Sequence, residues 1–85
     1  MARDRAAPRT GLAAAQAAWA GAVGAGIAAV ATPVSERDGT LTVECTDGSW
    51  AHELDLMQGQ LLDSLREALG EQAPEALRFR VARDR

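Results

Sequence analysis

At 85 residues the chain has room for one small domain, and a domain of that size buries only about 60% of the surface its unfolded chain exposes. The apolar share is 47%, but 19 of those residues are alanine, so 21 larger side chains must supply nearly all of the core, which excludes wholesale disorder and leaves little stability to spare. One cysteine and one histidine exclude an internal disulfide and a thiolate-rich zinc site and leave scant material for a nucleophile–base pair, and the net charge is −3.

Residues 1–9 read as a flexible basic arm, polar and without periodicity. Thr10 caps a helix expected from Gly11 to about Val30, where the approach to Pro33 ends it. Leu12, Trp19, Val23, Ile27 and Val30 follow at spacings of 7, 4, 4 and 3, which is one face of a helix. Arginines ahead of this Ala- and Gly-rich stretch, with Ala29-Val30-Ala31 at its end, mimic a secretory leader. Five large apolar side chains are too few for a membrane span, and a leader needs no stripe, so the segment is read as part of the domain. Gly21, Gly24 and Gly26 each cost a helix about 1 kcal/mol relative to Ala, a cost that a close approach to another element, expected at Gly24, would offset.

Thr32–Glu36 reads as a short strand, with Pro33 suited to an edge or a first position. Asp38-Gly39 is a tight-hairpin signal, because both residues adopt positive φ readily. Thr40–Thr46 alternates, with Leu41, Val43 and Cys45 inward and Thr40, Thr42, Glu44 and Thr46 outward. Asp47-Gly48 turns the chain, and Ser49 is expected to cap a second helix with Glu53 in its first turn. Trp50, Leu54, Met57, Leu61, Leu65 and Leu69 form its stripe, widened by Leu62 and Ala68, and Gly70 stops it. Leu77, Phe79 and Val81 then alternate with Arg78, Arg80 and Ala82 in a third strand whose arginines lie on the open face.

The fold expected for residues 10–82 is therefore α+β, a two-layer sandwich in the order α-β-β-α-β, with 83–85 as a short tail. Two helices cover one face of a three-stranded sheet. A single helix joining the second and third strands makes those two parallel and the sheet mixed. The expected core is Trp19, Val23, Ile27, Leu41, Val43, Trp50, Leu54, Leu61, Leu65, Phe79 and Val81, with the two tryptophans as mutual partners.

Every basic residue is an arginine, and they are unevenly placed. Arg3, Arg5 and Arg9 face only Asp4 within residues 1–10, and Arg78, Arg80, Arg83 and Arg85 face only Asp84 within residues 76–85. Between them lie Arg37 and Arg66 against ten carboxylates, a body that repels phosphate. The arginines are either ordinary solvated surface in a composition rich in Ala, Arg and Gly, or a local phosphate-attracting patch made of Arg3, Arg5, Arg78, Arg80, Arg83 and Arg85.

No residue pattern points to catalysis, a cofactor or a metal. His52 and Glu53 are helix neighbours that point in different directions. Cys45 belongs to the inward set of its strand and reads as a small core hydrophobe. Gly21-Ala22-Val23-Gly24 has the spacing of a K-homology nucleotide clamp, but that clamp needs an exposed loop between helices and this run falls inside an expected helix. Phosphate-loop, zinc and triad spacings are absent.

Read as a whole, the pattern resembles the DciA family. The residues that carry the resemblance are Trp19, Val23-Gly24, Ile27-Ala28, Thr32-Pro33-Val34, Asp38-Gly39-Thr40-Leu41-Thr42-Val43 and Ser49-Trp50-Ala51 with Glu53-Leu54. It continues through Met57, Leu61-Leu62, Leu65, Leu69-Gly70 and Leu77-Arg78-Phe79, covering roughly residues 12–82. The resemblance implies a K-homology-like fold without the nucleotide clamp, in a bacterial cytoplasmic protein of chromosome replication. It further implies a non-enzymatic adaptor that recruits or helps load the DnaB-type replicative helicase, with single-stranded or origin DNA as a second partner and no membrane, metal or cofactor. The first candidate for the docking surface is the exposed side of the second helix: Glu53, Asp55, Gln58, Asp63 and Arg66. The other reading is a single-stranded nucleic-acid module built on the arginine patch.

Overall fold

The hairpin at Asp38-Gly39 organises the sheet. Asp38 has φ 54° and Gly39 φ 84°, the paired positive values that match the right-handed twist of the flanking strands. Strand β1 (Ala31–Arg37) thereby folds straight back on β2 (Thr40–Cys45). Strand β3 (Ala76–Val81) runs parallel to β2, from Thr40 opposite Ala76 to Cys45 opposite Val81, and the strand order is β1-β2-β3. The computed structural model describes residues 11–82, so the basic arm, the cap at Thr10 and the tail lie outside the described residues.

Strand β1 differs from a plain edge. Pro33 pairs with Val43 and Ser35 with Thr42, so Val34 is an extra, bulged residue. The Thr46 N–H donates to the Val30 carbonyl at 2.9 Å, which sets the phase of the ladder. By the alternation of antiparallel pairing, the carbonyls of Ala31 and Pro33 then face away from β2. Both accept from side chains of the first helix: Trp19 Nε1 donates to Ala31 at 2.8 Å and Gln16 Nε2 to Pro33 at 3.2 Å.

The helical layer has four pieces where two were expected. Helix α1 (Gly11–Val23) ends at Gly24, whose φ of 96° and ψ of 155° break the run, and α2 (Ala25–Ala28) follows. A Cβ at Gly24 would meet nothing within 4 Å, so this glycine serves the backbone turn and not the close approach expected of it. Helix α3 (Gly48–Leu56) is separated from α4 (Gln58–Leu69) by Met57, at φ −95° and ψ 10°. The cap of α3 is Asp47, whose carboxylate accepts from the Trp50 N–H at 2.9 Å; Ser49 is already inside the helix and Glu53 is beyond its first turn. Gly70 closes α4 with φ 60°, as expected.

Helix α1 lies against β1 and α4, and α3 lies against β3. The core between the layers holds Ala15, Trp19, Ala31, Leu41, Val43, Cys45, Leu54, Leu61, Leu65 and Leu77, with Val23, Ile27 and Phe79 half-buried around it. Fully burying each leucine contributes roughly 1.5–3 kcal/mol. The α+β two-layer architecture and the mixed sheet agree with the sequence reading.

Two expected core residues are not core. Trp50 is 37% exposed and Val81 45%. Helix α3 packs mainly on the edge strand β3, where it buries Leu54 and part of Ala51 and leaves Trp50, in its first turn, outside the core. Val81 ends that same edge strand, at an open corner of the sheet. The tryptophans are therefore not core partners: one is interior and the other is surface.

Candidate functional site

Strand alternation sorts the candidate residues onto two surfaces. On the open face of the sheet, the register aligns Arg37 with Thr40, Ser35 with Thr42 and Arg78, and Thr32 with Glu44 and Arg80. Ser35, Arg37, Thr40, Thr42 and Arg78 line a shallow hollow of about 490 Å³ there, together with Glu36 and Asp38.

The two arginines expected on this face differ in state. Arg80 is held by Glu44, with Nη2 at 2.7 Å and Nε at 3.1 Å from the same carboxylate oxygen, so its charge is largely spent within the protein. Arg78 and Arg37 make no ion pair among the described residues. Arg37 was absent from the sequence-based patch, and the hairpin register is what brings it beside Thr40 and toward Arg78. Arg3, Arg5, Arg83 and Arg85 lie outside the described residues.

The second surface is the outer side of α3. Trp50 and Leu56, 37% and 70% exposed, project there among Ser49, His52, Glu53 and Asp55, which are also exposed. Trp50, Ser49 and Glu53 line a shallow cleft of about 300 Å³. The polar residues first considered for docking are partly engaged locally: Gln58 Nε2 donates to Asp55 at 3.1 Å, and Arg66 Nη1 pairs with Asp63 at 2.9 Å. Sequence periodicity missed Trp50 as a surface residue because it fits the stripe of Leu54 and Leu61. The one usable signal was its place in the first turn, where a stripe most easily overhangs its partner.

Cys45 is buried, and burial followed by the negative charge of Asp47 pushes its thiol above the usual range, away from the thiolate. Among the described residues there is no cluster of three or more His, Cys, Asp or Glu side chains that could hold a metal ion. No described helix is long and apolar enough to cross a membrane. Gly21-Ala22-Val23-Gly24 spans the last turn of α1 and the break after it, a correction to its expected place within one helix. The other helix junction, Leu56-Met57-Gln58-Gly59, has a single glycine.

A UPF0232 protein of Rhodococcus jostii is 39% identical over 61 residues, covering 72% of this chain and 32% of its own length. The UPF0232 protein of Mycobacterium ulcerans is 42% identical over 52 residues, covering 61% of this chain and 28% of its own. That of Mycobacterium tuberculosis is 37% identical over 61 residues, covering 72% and 33%. The chain thus spans about a third of the length of the curated relatives it matches. The model of the family described as Dna[CI] antecedent, DciA, matches residues 2–79, which takes in every helix and all but the last two residues of β3. The chain belongs to the DciA family.

Proposed function

We propose that this domain is a non-enzymatic adaptor that docks on a DnaB-type replicative helicase and helps recruit or load it during bacterial chromosome replication. Membership of the DciA family across residues 2–79 carries the reading. The exposure of Trp50 and Leu56 on α3 supports it, because large apolar side chains held out in water on an ordered helix are typical anchors of a protein interface. The carboxylates of Glu53 and Asp55 beside them favour a basic rim on the partner. The test is retention of the helicase from the same organism by the immobilised chain. Retention above background that is lost on Trp50→Ala with Leu56→Ala supports the adaptor; no retention by the parent chain counts decisively against it.

A second reading, single-stranded nucleic-acid binding on the open sheet face, is favoured by the hollow shared by Arg37 and Arg78 with three hydroxyl side chains. Phosphate contacts of that kind predict affinity that falls steeply with salt. Oligonucleotide binding that is unchanged in Arg78→Glu with Arg80→Glu rules the face out.

A further inference from the structure

The two edges of the sheet are finished differently. At β1, Pro33 has no N–H, Val34 bulges, and the outward carbonyls of Ala31 and Pro33 are taken by Trp19 and Gln16. These are devices that stop another strand from pairing. At β3, neither Pro, Gly nor a bulge interrupts Ala76–Val81. Ala76 and Ala82 donate to the Gly39 and Cys45 carbonyls of the β2 side at 3.1 and 2.8 Å. Parallel pairing alternates, so Arg78 and Arg80 also turn their backbone groups to β2, whereas Leu77, Phe79 and Val81 turn theirs to the free edge. Among the described residues no side chain bonds those outward groups.

From this asymmetry we propose that the β3 edge is a docking site for an extended peptide segment of alternating acidic and apolar residues, added as a fourth strand. The ladder supplies affinity and side-chain alternation supplies selectivity. On the open face the added strand runs beside Arg78, which has no ion pair among the described residues, and a carboxylate there meets it. On the helix-covered face the strand runs beside half-buried Phe79 and exposed Val81, where an apolar side chain completes the cover. A second copy of this chain is a poor occupant. Antiparallel pairing of two β3 strands would bring Arg78 of both copies, without an ion pair among the described residues, onto one face with no carboxylate from the opposing strand to meet it. The ladder is made by the backbone of β3, while the helicase reading is tested on Trp50 and Leu56 of α3, so the two experiments fail independently.

The probes are synthetic peptides of about six residues, the usual strand length: one alternating Val and Glu, one alternating Val and Lys, and the Val/Glu peptide N-methylated at alternate amides. Titrated into the full chain and followed by amide NMR, the Val/Glu peptide shifts Leu77, Phe79 and Val81 and slows their hydrogen exchange. The Val/Lys peptide binds about tenfold more weakly, the N-methylated peptide of matching register does not bind, and Arg78→Glu reverses the Glu-over-Lys preference. Val81→Pro removes an outward donor without breaking a ladder bond and weakens binding about threefold to tenfold. Should that variant fail to fold, the methylated peptide and the exposed Arg78→Glu substitution still decide. Absence of binding, equal binding of the Glu and Lys peptides, methylation without effect, or shifts confined to α3 overturns the proposal.

Discussion

The indole of Trp19 donates to the backbone carbonyl of Ala31 at 2.8 Å, in the buried space between α1 and the outer edge of β1. With the half-buried Gln16–Pro33 bond beside it, this contact ties the first helix to the strand. Trp19→Phe keeps most of the packing but leaves that carbonyl unpaired, at a cost of about 1–3 kcal/mol. Trp19→Ala adds a cavity and costs about 3–5 kcal/mol. Urea denaturation of the two variants beside the parent checks both, and equal losses would show that the bond contributes nothing beyond packing.

Trp50 is expected to separate stability from binding. With Trp50 37% exposed and Trp19 buried, Trp50→Ala costs less stability than Trp19→Ala yet weakens helicase binding about tenfold. Acrylamide quenching supplies an independent reading of the two environments. The fluorescence of Trp19→Phe, which retains only Trp50, is readily quenched, and that of Trp50→Phe is shielded.

Three glycines near the end of the first helix respond in opposite senses. Gly24 sits at φ 96° and ψ 155°, a region closed to other residues, so Gly24→Ala costs about 1–3 kcal/mol despite the empty space around it. Gly21 and Gly26 lie inside helices with nothing within 4 Å of an added Cβ. Replacing either with Ala raises stability by up to about 1 kcal/mol. Thermal unfolding of the three single variants gives the signs directly.

Burial of Cys45, with Asp47 nearby, favours the neutral thiol in the folded protein, so the folded pKa lies above the unfolded one. Below the ordinary value of 9.0 both states are protonated and the contribution to stability is fully present. As the pH rises through the folded value the unfolded chain binds fewer protons and that contribution is lost. Denaturation midpoints at about pH 8 and about pH 10 should therefore fall further for the parent than for Cys45→Ala. Equal falls would show that the buried thiol does not couple to folding.

Much of the fold could be read from local pattern. Positive φ at Asp38 and Gly39 follows from residue type, and the inward set Leu41, Val43 and Cys45 is as buried as its alternation implies. The parallel placement of β3 follows from the length of the crossover. The candidate surfaces were less legible. Arg78 and Arg80 look equivalent in sequence, yet Glu44 holds one and leaves the other, because the register sets Glu44 opposite Arg80.

The chain's own order of residues determined which side chains share a face, where the backbone must turn and which strands are parallel, since each depends on periodicity, residue conformational freedom or chain reach. Tertiary structure alone decided what covers each face. Trp50 and Leu54 belong to one stripe, but only Leu54 lies beneath a neighbour; Ala31 and Leu77 both belong to edge strands, but α1 caps the first edge and leaves the second open. Periodicity is a property of one element, whereas burial requires a second element in register with it. For that reason the exposure of Trp50 and the open edge of β3 emerged only when the helices were set on the sheet.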